Sequence, residues 1–227
     1  MTIEIGFLVF PRVQQLDLAG PYEVLAMVPG ARVHLVATTL EPLASATGLV
    51  LTPTVTFADC PALDVICVPG GGGVNPLMED GDTLDFLCRQ AAGARYLTSV
   101  CTGALVLGAA GLLRGKRATT HWAAHDLLSH FGAIPTQARV VRDGNLITGG
   151  GVTAGIDFGL TLAAELTDAA TAQAIQLHLE YAPDPPFDAG RPESAGPDIL
   201  AATRERLSTT RREREAIVAR VTAAERR

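Results

Sequence analysis

Nowhere in the chain does an apolar run approach the roughly 18 residues that a membrane-spanning helix requires. The first ten residues, Met1 to Phe10, lack the basic start and the small-residue cleavage site of a secretory signal. Both absences predict a cytoplasmic protein with no membrane partner. Cysteine is scarce: Cys60, Cys67, Cys88 and Cys101 lie 7, 21 and 13 residues apart, which is neither the C-x-x-C spacing of a metal site nor the density of a disulfide scaffold. Reduced thiols are the expectation. Positive charge is short as well. Eighteen Lys and Arg against 24 Asp and Glu leave a net charge of −6, so the overall field attracts no nucleic acid. Charged residues of both signs make up 19% of the 227 and hydrophobic ones 48%, which excludes a disordered chain and predicts a large filled interior.

What is present alternates. Ile3 to Phe10 is short, almost wholly apolar and stopped by Pro11, the pattern of a strand buried on both faces. Asp17 then stands before the apolar-periodic Val24, Leu25 and Val28, predicting a helix with a carboxylate near its mouth. Ala31 to Thr38, Asp64 to Val68 and Tyr96 to Val100 read as further strands, and the stretch from Glu41 to Phe57 as a hairpin or edge excursion. The glycine loop Gly70 to Gly73 leads to a short helix and a longer one over Thr83–Ala92, and helices are predicted over Thr102–Ala110 and His121–Phe131. Ala138 to Arg142 and Leu146 to Thr148 read as strands flanking a turn, with a helix to about Leu166 and another capped by Asp168. This order predicts a doubly wound, flavodoxin-like α/β sandwich with a mostly parallel sheet over residues 1–182, binding its ligand beyond the carboxyl ends of the strands. Residues 183–227 form a proline-rich arm and a helix with sparse apolar positions, read as an exposed appendage. Eight arginines and four glutamates between 201 and 227 give it the opposite sign to the body, and it reads as a solvated helix or a packing arm.

Ser99-Val100-Cys101-Thr102-Gly103 has the mechanics of a nucleophile elbow, with small residues two positions either side of the thiol and a helix opening behind it. A thiol at a helix N-terminus is stabilised as its anion, so Cys101 is predicted to be partly thiolate at neutral pH. The other three cysteines read as small buried hydrophobes. Asp17 is either a plain helix cap or, reaching the same sheet edge, an acid sharing a proton with Cys101. The N–H groups of the glycine loop and of Thr102 would hold an electron-rich atom. His121 and His125 lie one helical turn apart. Trp122 stands where a zinc protease has Glu and no third ligand is evident, so no metal is expected.

The residues Val100-Cys101-Thr102-Gly103-Ala104, the loop Pro69 to Gly73 and Ala118-Thr119-Thr120-His121-Trp122 resemble the DJ-1/PfpI superfamily over about Thr2 to Glu180. Within it, Gln15-Leu16-Asp17-Leu18-Ala19-Gly20-Pro21 and the arm Pro185 to Gly190 are similar to the isonitrile hydratases. The resemblance implies hydration of an organic isonitrile to an N-substituted formamide without metal or organic cofactor, by a homodimer. It implies Cys101 as nucleophile, Asp17 as acid then base, Thr102 as an orienting residue, and Gly72, Gly73 and His121 lining the substrate. The protease-like branch has His where this chain has Thr102, and the DJ-1 branch has Glu where this chain has Asp17; both activities are disfavoured. Regulators with this domain carry a C-terminal helix-turn-helix pair, for which about 27 residues after Leu200 are too few. The competing reading is a redox sensor or protein-quality factor using the same cysteine.

Overall fold

The computed structural model describes residues 2–224. The elements are β1 (Ile3–Leu8), α1 (Gln15–Ala26), β2 (Ala31–Ala37), β3 (Leu43–Ala44), β4 (Val50–Leu51), β5 (Val55–Thr56), β6 (Val65–Val68), α2 (Val74–Leu77), α3 (Gly81–Ala91), β7 (Tyr96–Val100), α4 (Gly103–Ala109) and β8 (Arg117–Ala118). A 3₁₀ helix (Trp122–Phe131), β9 (Ile134–Pro135), β10 (Val140–Asp143), β11 (Leu146–Gly149), α5 (Ala154–Leu166), α6 (Ala169–His178) and α7 (Pro197–Ala224) complete the chain. Seven strands form the central sheet in the order β10-β11-β7-β6-β1-β2-β5, parallel except for the β10–β11 hairpin.

The apolar strands explain the layering. Side chains alternate across a strand, and here both sets are hydrophobic, so both faces must be covered. Ile3, Ile5, Phe7 and Val9 join Val65 and Cys67 against α1, α5 and α6; Leu8, Phe10, Ile66, Val68 and Leu97 face α3, α4, the 3₁₀ helix and α7. The chain winds from β1 outward to β2 and from β6 outward to β7, so the winding reverses between the adjacent β1 and β6. Loops separate at such a reversal and leave a crevice at the carboxyl edge. Among the described residues no helix is long and apolar enough to cross a membrane.

One segment differs from expectation, and another decides between two. The stretch ending at Phe131 is a 3₁₀ helix that starts at Trp122, with His121 as its cap: Nδ1 accepts from Ala123 N at 3.3 Å. Three residues per turn, rather than 3.6, take His121 and His125 off a common face. The last helix is exposed along much of its length but packs one side against the body, the packing arm of the two alternatives. Ile217 and Val218 are buried in the core cluster beneath α4, Arg211 makes a two-pronged ion pair with Asp126, and Arg220 does the same with Glu79.

Candidate active site

Cys101 leaves β7 with φ +55°, a left-handed backbone that side-chain-bearing residues rarely adopt and that is worth about 1–3 kcal/mol of strain. Its surroundings hold it there. Cys101 N donates to Gly149 O and Gly150 O at 3.0 and 2.8 Å, and its carbonyl accepts the Thr120 hydroxyl at 2.7 Å. The turn can be this tight because Gly103 has no side chain: a Cβ there would sit 1.9 Å from Val68 O.

Asp17 comes from the first turn of α1 and is fully buried. It does not cap that helix. Its Oδ2 accepts Gly70 N at 2.9 Å, a bond that spans the winding reversal from the end of β1 to the end of β6. The Cys101 thiol interacts directly with the same carboxyl, while Oδ1 is buried without an aligned donor. Gly70 is the hinge of this arrangement. A Cβ on it would lie 2.7 Å from Asp17 Oδ2 and 2.6 Å from Thr102 N.

Burial pushes Asp17 up to about 7, against the smaller opposing pull of Cys101 and Gly70. Burial, followed by the neighbouring Asp17 charge, also holds the Cys101 thiol above its ordinary range, although the N–H groups of Thr102 and Val152 point at the sulfur and oppose the rise. Burial and the neighbouring carboxyl thus work against the resting thiolate that the helix N-terminus suggested. With α4 only seven residues long, its dipole cannot outweigh desolvation and a nearby carboxylate. Two acids that both resist ionisation behave as one unit carrying at most one negative charge near neutrality.

Each residue singled out by sequence has a definite place. Thr102 N–H faces sulfur, and its hydroxyl accepts Gly71 N at 3.1 Å, tying the elbow to the glycine loop. Gly72 N–H has no acceptor among the described residues and stays available. Gly73 does not fit its expected part: its N–H donates to Arg12 O at 3.3 Å and its Cβ direction is filled by Pro11 O. His121 packs against Gly151 and is held down to about 4, first by burial and then by the positive charge of Arg214, so it is neutral at physiological pH. It exerts no resolved influence on the thiol. With Nδ1 accepting from Ala123, its proton lies on Nε2.

Three contributors escaped the sequence reading: Val152 through its backbone N–H, Thr120 through its hydroxyl, and Arg214 of α7, which is only 7% exposed. A concavity of about 340 Å³ lies at the ends of β1 and β2 against Phe10, Glu41, Phe57 and Asp80, and its lining does not include Cys101 or Asp17.

Known proteins resemble the chain over most of its length. The DJ-1/PfpI family profile matches residues 4–165. An isonitrile hydratase of Pseudomonas putida is 64% identical over 223 residues, covering 98% of both chains. Among solved structures, a ThiJ/PfpI family protein from Pseudomonas syringae superposes with a TM-score of 0.94 at 46% identity, covering 96% of this chain and 91% of that one. Drosophila melanogaster DJ-1beta gives 0.74 at 25% identity, covering 81% of this chain and all of that one. Matched by the family profile over residues 4–165 and 64% identical to an isonitrile hydratase along nearly its whole length, the chain belongs to the DJ-1/PfpI family and is an enzyme of it.

Proposed function

We propose that the chain hydrates an organic isonitrile to the N-substituted formamide, with Cys101 as nucleophile and Asp17 as acid and then base. The observation that carries this reading is the buried Asp17–Cys101 pair with a carboxyl near 7, a group able to give and take a proton at neutral pH. The near full-length identity to an isonitrile hydratase supports it.

In this mechanism attack proceeds from the minor form of the pair in which its one proton has passed from sulfur to Asp17, leaving sulfur ionised. The sulfur lone pair bonds to the terminal isonitrile carbon, the displaced π pair returns to nitrogen, and the carbon's own lone pair takes the Asp17 proton. The product is a neutral thioimidate, so no new charge is stranded in a buried site. Asp17, now ionised, removes a proton from water as its oxygen bonds to the same carbon, and passes that proton to nitrogen. When the carbon–sulfur bond breaks, sulfur leaves with its electron pair and Asp17 takes the hydroxyl proton. Formamide departs and the pair is restored. Gly72 N–H and the Nε2–H of His121 offer donors to the substrate, and Thr102 N–H, with that of Val152, steadies the leaving sulfur.

A sensor role fits less well. Redox sensing favours an exposed, low-pKa thiolate, whereas Cys101 is buried and its pKa is raised. The assembly we propose is a homodimer, with Leu49 and Val50 of the β3–β4 hairpin, both more than half exposed, as part of its face; light scattering tests it. The cytoplasm, where free thiols persist, is the proposed compartment. The decisive experiment is incubation with a simple aliphatic isonitrile, following formamide, beside an aldehyde control. Formamide together with a thioimidate-sized mass increment on Cys101 is expected; no formamide from the isonitrile overturns the reading.

A further inference from the structure

Three of the four amides of the glycine loop have partners. Gly70 N donates to Asp17 Oδ2 at 2.9 Å, Gly71 N to the Thr102 hydroxyl at 3.1 Å and Gly73 N to Arg12 O at 3.3 Å. Gly72 N has no acceptor among the described residues. Its backbone is not left-handed, so φ does not explain why glycine stands there. A neighbour does. A Cβ on Gly72 would meet Nη2, Cζ and Nε of Arg12 at 2.7, 3.1 and 3.3 Å, so the guanidinium lies against the loop at the residue whose amide is free.

The segment before α1 delivers that side chain. Arg12 has φ +64°, a left-handed backbone that side-chain-bearing residues rarely adopt, and it is held at both ends: Arg12 N donates to Ala44 O at 2.8 Å while Arg12 O accepts Gly73 N. Val13 bridges to Gly71, and Gln14 N donates to Gly70 O at 2.8 Å, so residues 12–14 run along the glycine loop as a strap. Arg211 and Arg220 each grip a carboxylate, whereas Arg12 is exposed and pairs with none among the described residues. Two donors, one charged and one neutral, therefore share one residue of the loop without an acceptor. A carboxylate suits both: its two oxygens match the planar fork of a guanidinium and have lone pairs left for a backbone N–H.

We propose that Arg12 and the Gly72 amide form a subsite for a carboxylate, and that the physiological isonitrile carries one at the end remote from its reacting carbon. This rests on the isonitrile reading and narrows its substrate class. The two amides before Gly72 hold Thr102 and Asp17, and two residues of chain reach at most about 7 Å, so the subsite lies a short spacer from the acid. One loop then serves both ends of the substrate, Gly70 and Gly71 fixing the chemistry and Gly72 with Arg12 fixing the far end. An anionic substrate enters beside an acid pair that itself carries up to one negative charge, and the guanidinium offsets that repulsion. Because this contact is remote from bond making, it is the same before and during reaction and belongs to KM.

The test compares γ-isocyanobutanoate with its primary amide, reading kcat/KM for formamide formation at constant ionic strength. Arg12→Gln is expected to lower the acid-to-amide ratio of kcat/KM about tenfold, through KM and not kcat. Arg12→Lys, which keeps the charge but loses the planar fork, should lose about threefold. Gly72→Ala keeps Arg12 but puts a Cβ where the guanidinium rests, and should lower the ratio as well. A ratio unmoved in Arg12→Gln, or a loss carried by kcat, overturns the proposal. If the protein makes formamide from neither compound, the isonitrile reading falls and the subsite is judged without turnover. The rate of Cys101 alkylation by iodoacetate relative to that by iodoacetamide, followed by mass on the Cys101 peptide, should then fall about threefold in Arg12→Gln. A fall there leaves the carboxylate subsite standing, and an unmoved ratio overturns it too.

Discussion

Cys67 sits in β6 and Cys101 one residue past the end of the neighbouring β7, both buried and both feeling the charge of Asp17. Cys67 lies inside β6 with its backbone in the ladder, opposite Thr98, and burial raises its thiol to about 12. Cys101 has stepped out of the ladder by one residue into a left-handed turn, where two backbone N–H groups meet its sulfur and a carboxyl shares its surroundings. Burial makes both thiols reluctant to ionise. What separates them is the exit from the strand, which exchanges a neighbour's side chain for donors and an acid.

Substitutions at the two thiols, the acid, the imidazole and the glycines would break or sharpen that contrast. The largest effect is expected from Cys101→Ala, which should lower formamide formation by at least about 10³-fold with the fold retained. Cys67→Ala should leave turnover within about threefold and lower stability by about 1–2 kcal/mol in urea unfolding. Equal losses of turnover would erase the distinction. Asp17→Asn comes next: turnover should fall by about 10²–10⁴. The same substitution has a stability signature. Because Asp17 is raised to about 7 when folded, its contribution is full below about pH 4 and is lost as pH rises through 7. The Asn variant should therefore gain on the native protein above pH 7, by up to about 4 kcal/mol.

His121→Gln tests whether an imidazole takes part in separating the two thiols. Turnover at pH 7 should fall less than about tenfold, as suits a donor rather than a base. His121 is lowered to about 4, so its stabilising contribution is present above about pH 6.5 and lost as pH falls through 4. The Gln variant should flatten that acid limb by up to about 3 kcal/mol. Gly70→Ala, which wedges Asp17 from Thr102, should destabilise by about 1–3 kcal/mol. Gly93→Ala, where a Cβ meets nothing within 4 Å, should be close to neutral in the same assay.

The sequence disclosed the features that depend on side-chain type and period. Tyr96–Val100 was bounded correctly because an apolar run ends there on a small-residue turn. Asp17 could be paired with Cys101 since both follow strands of one parallel sheet. Other features left little trace. Val152 acts through its backbone, which every residue but proline possesses. Arg214 is one of eight arginines in its segment, and nothing in a charge-rich helix marks which one turns inward. The burial of α7 rests on the short apolar patch at Ile217 and Val218, too sparse to register as an amphipathic stripe. The thiol's reluctance to ionise depends on desolvation, a property of the assembled interior rather than of any motif.

The packing of α7 has a consequence for how the protein comes into being. Ile217 and Val218 fill the cluster beneath α4 only after every strand and the elbow have already been synthesised. A ribosome that stalls before this helix would release a chain with its sheet sequence complete and one flank of its interior uncovered, so biosynthesis itself orders events: the elbow is made first and the shield over its supporting helix arrives last.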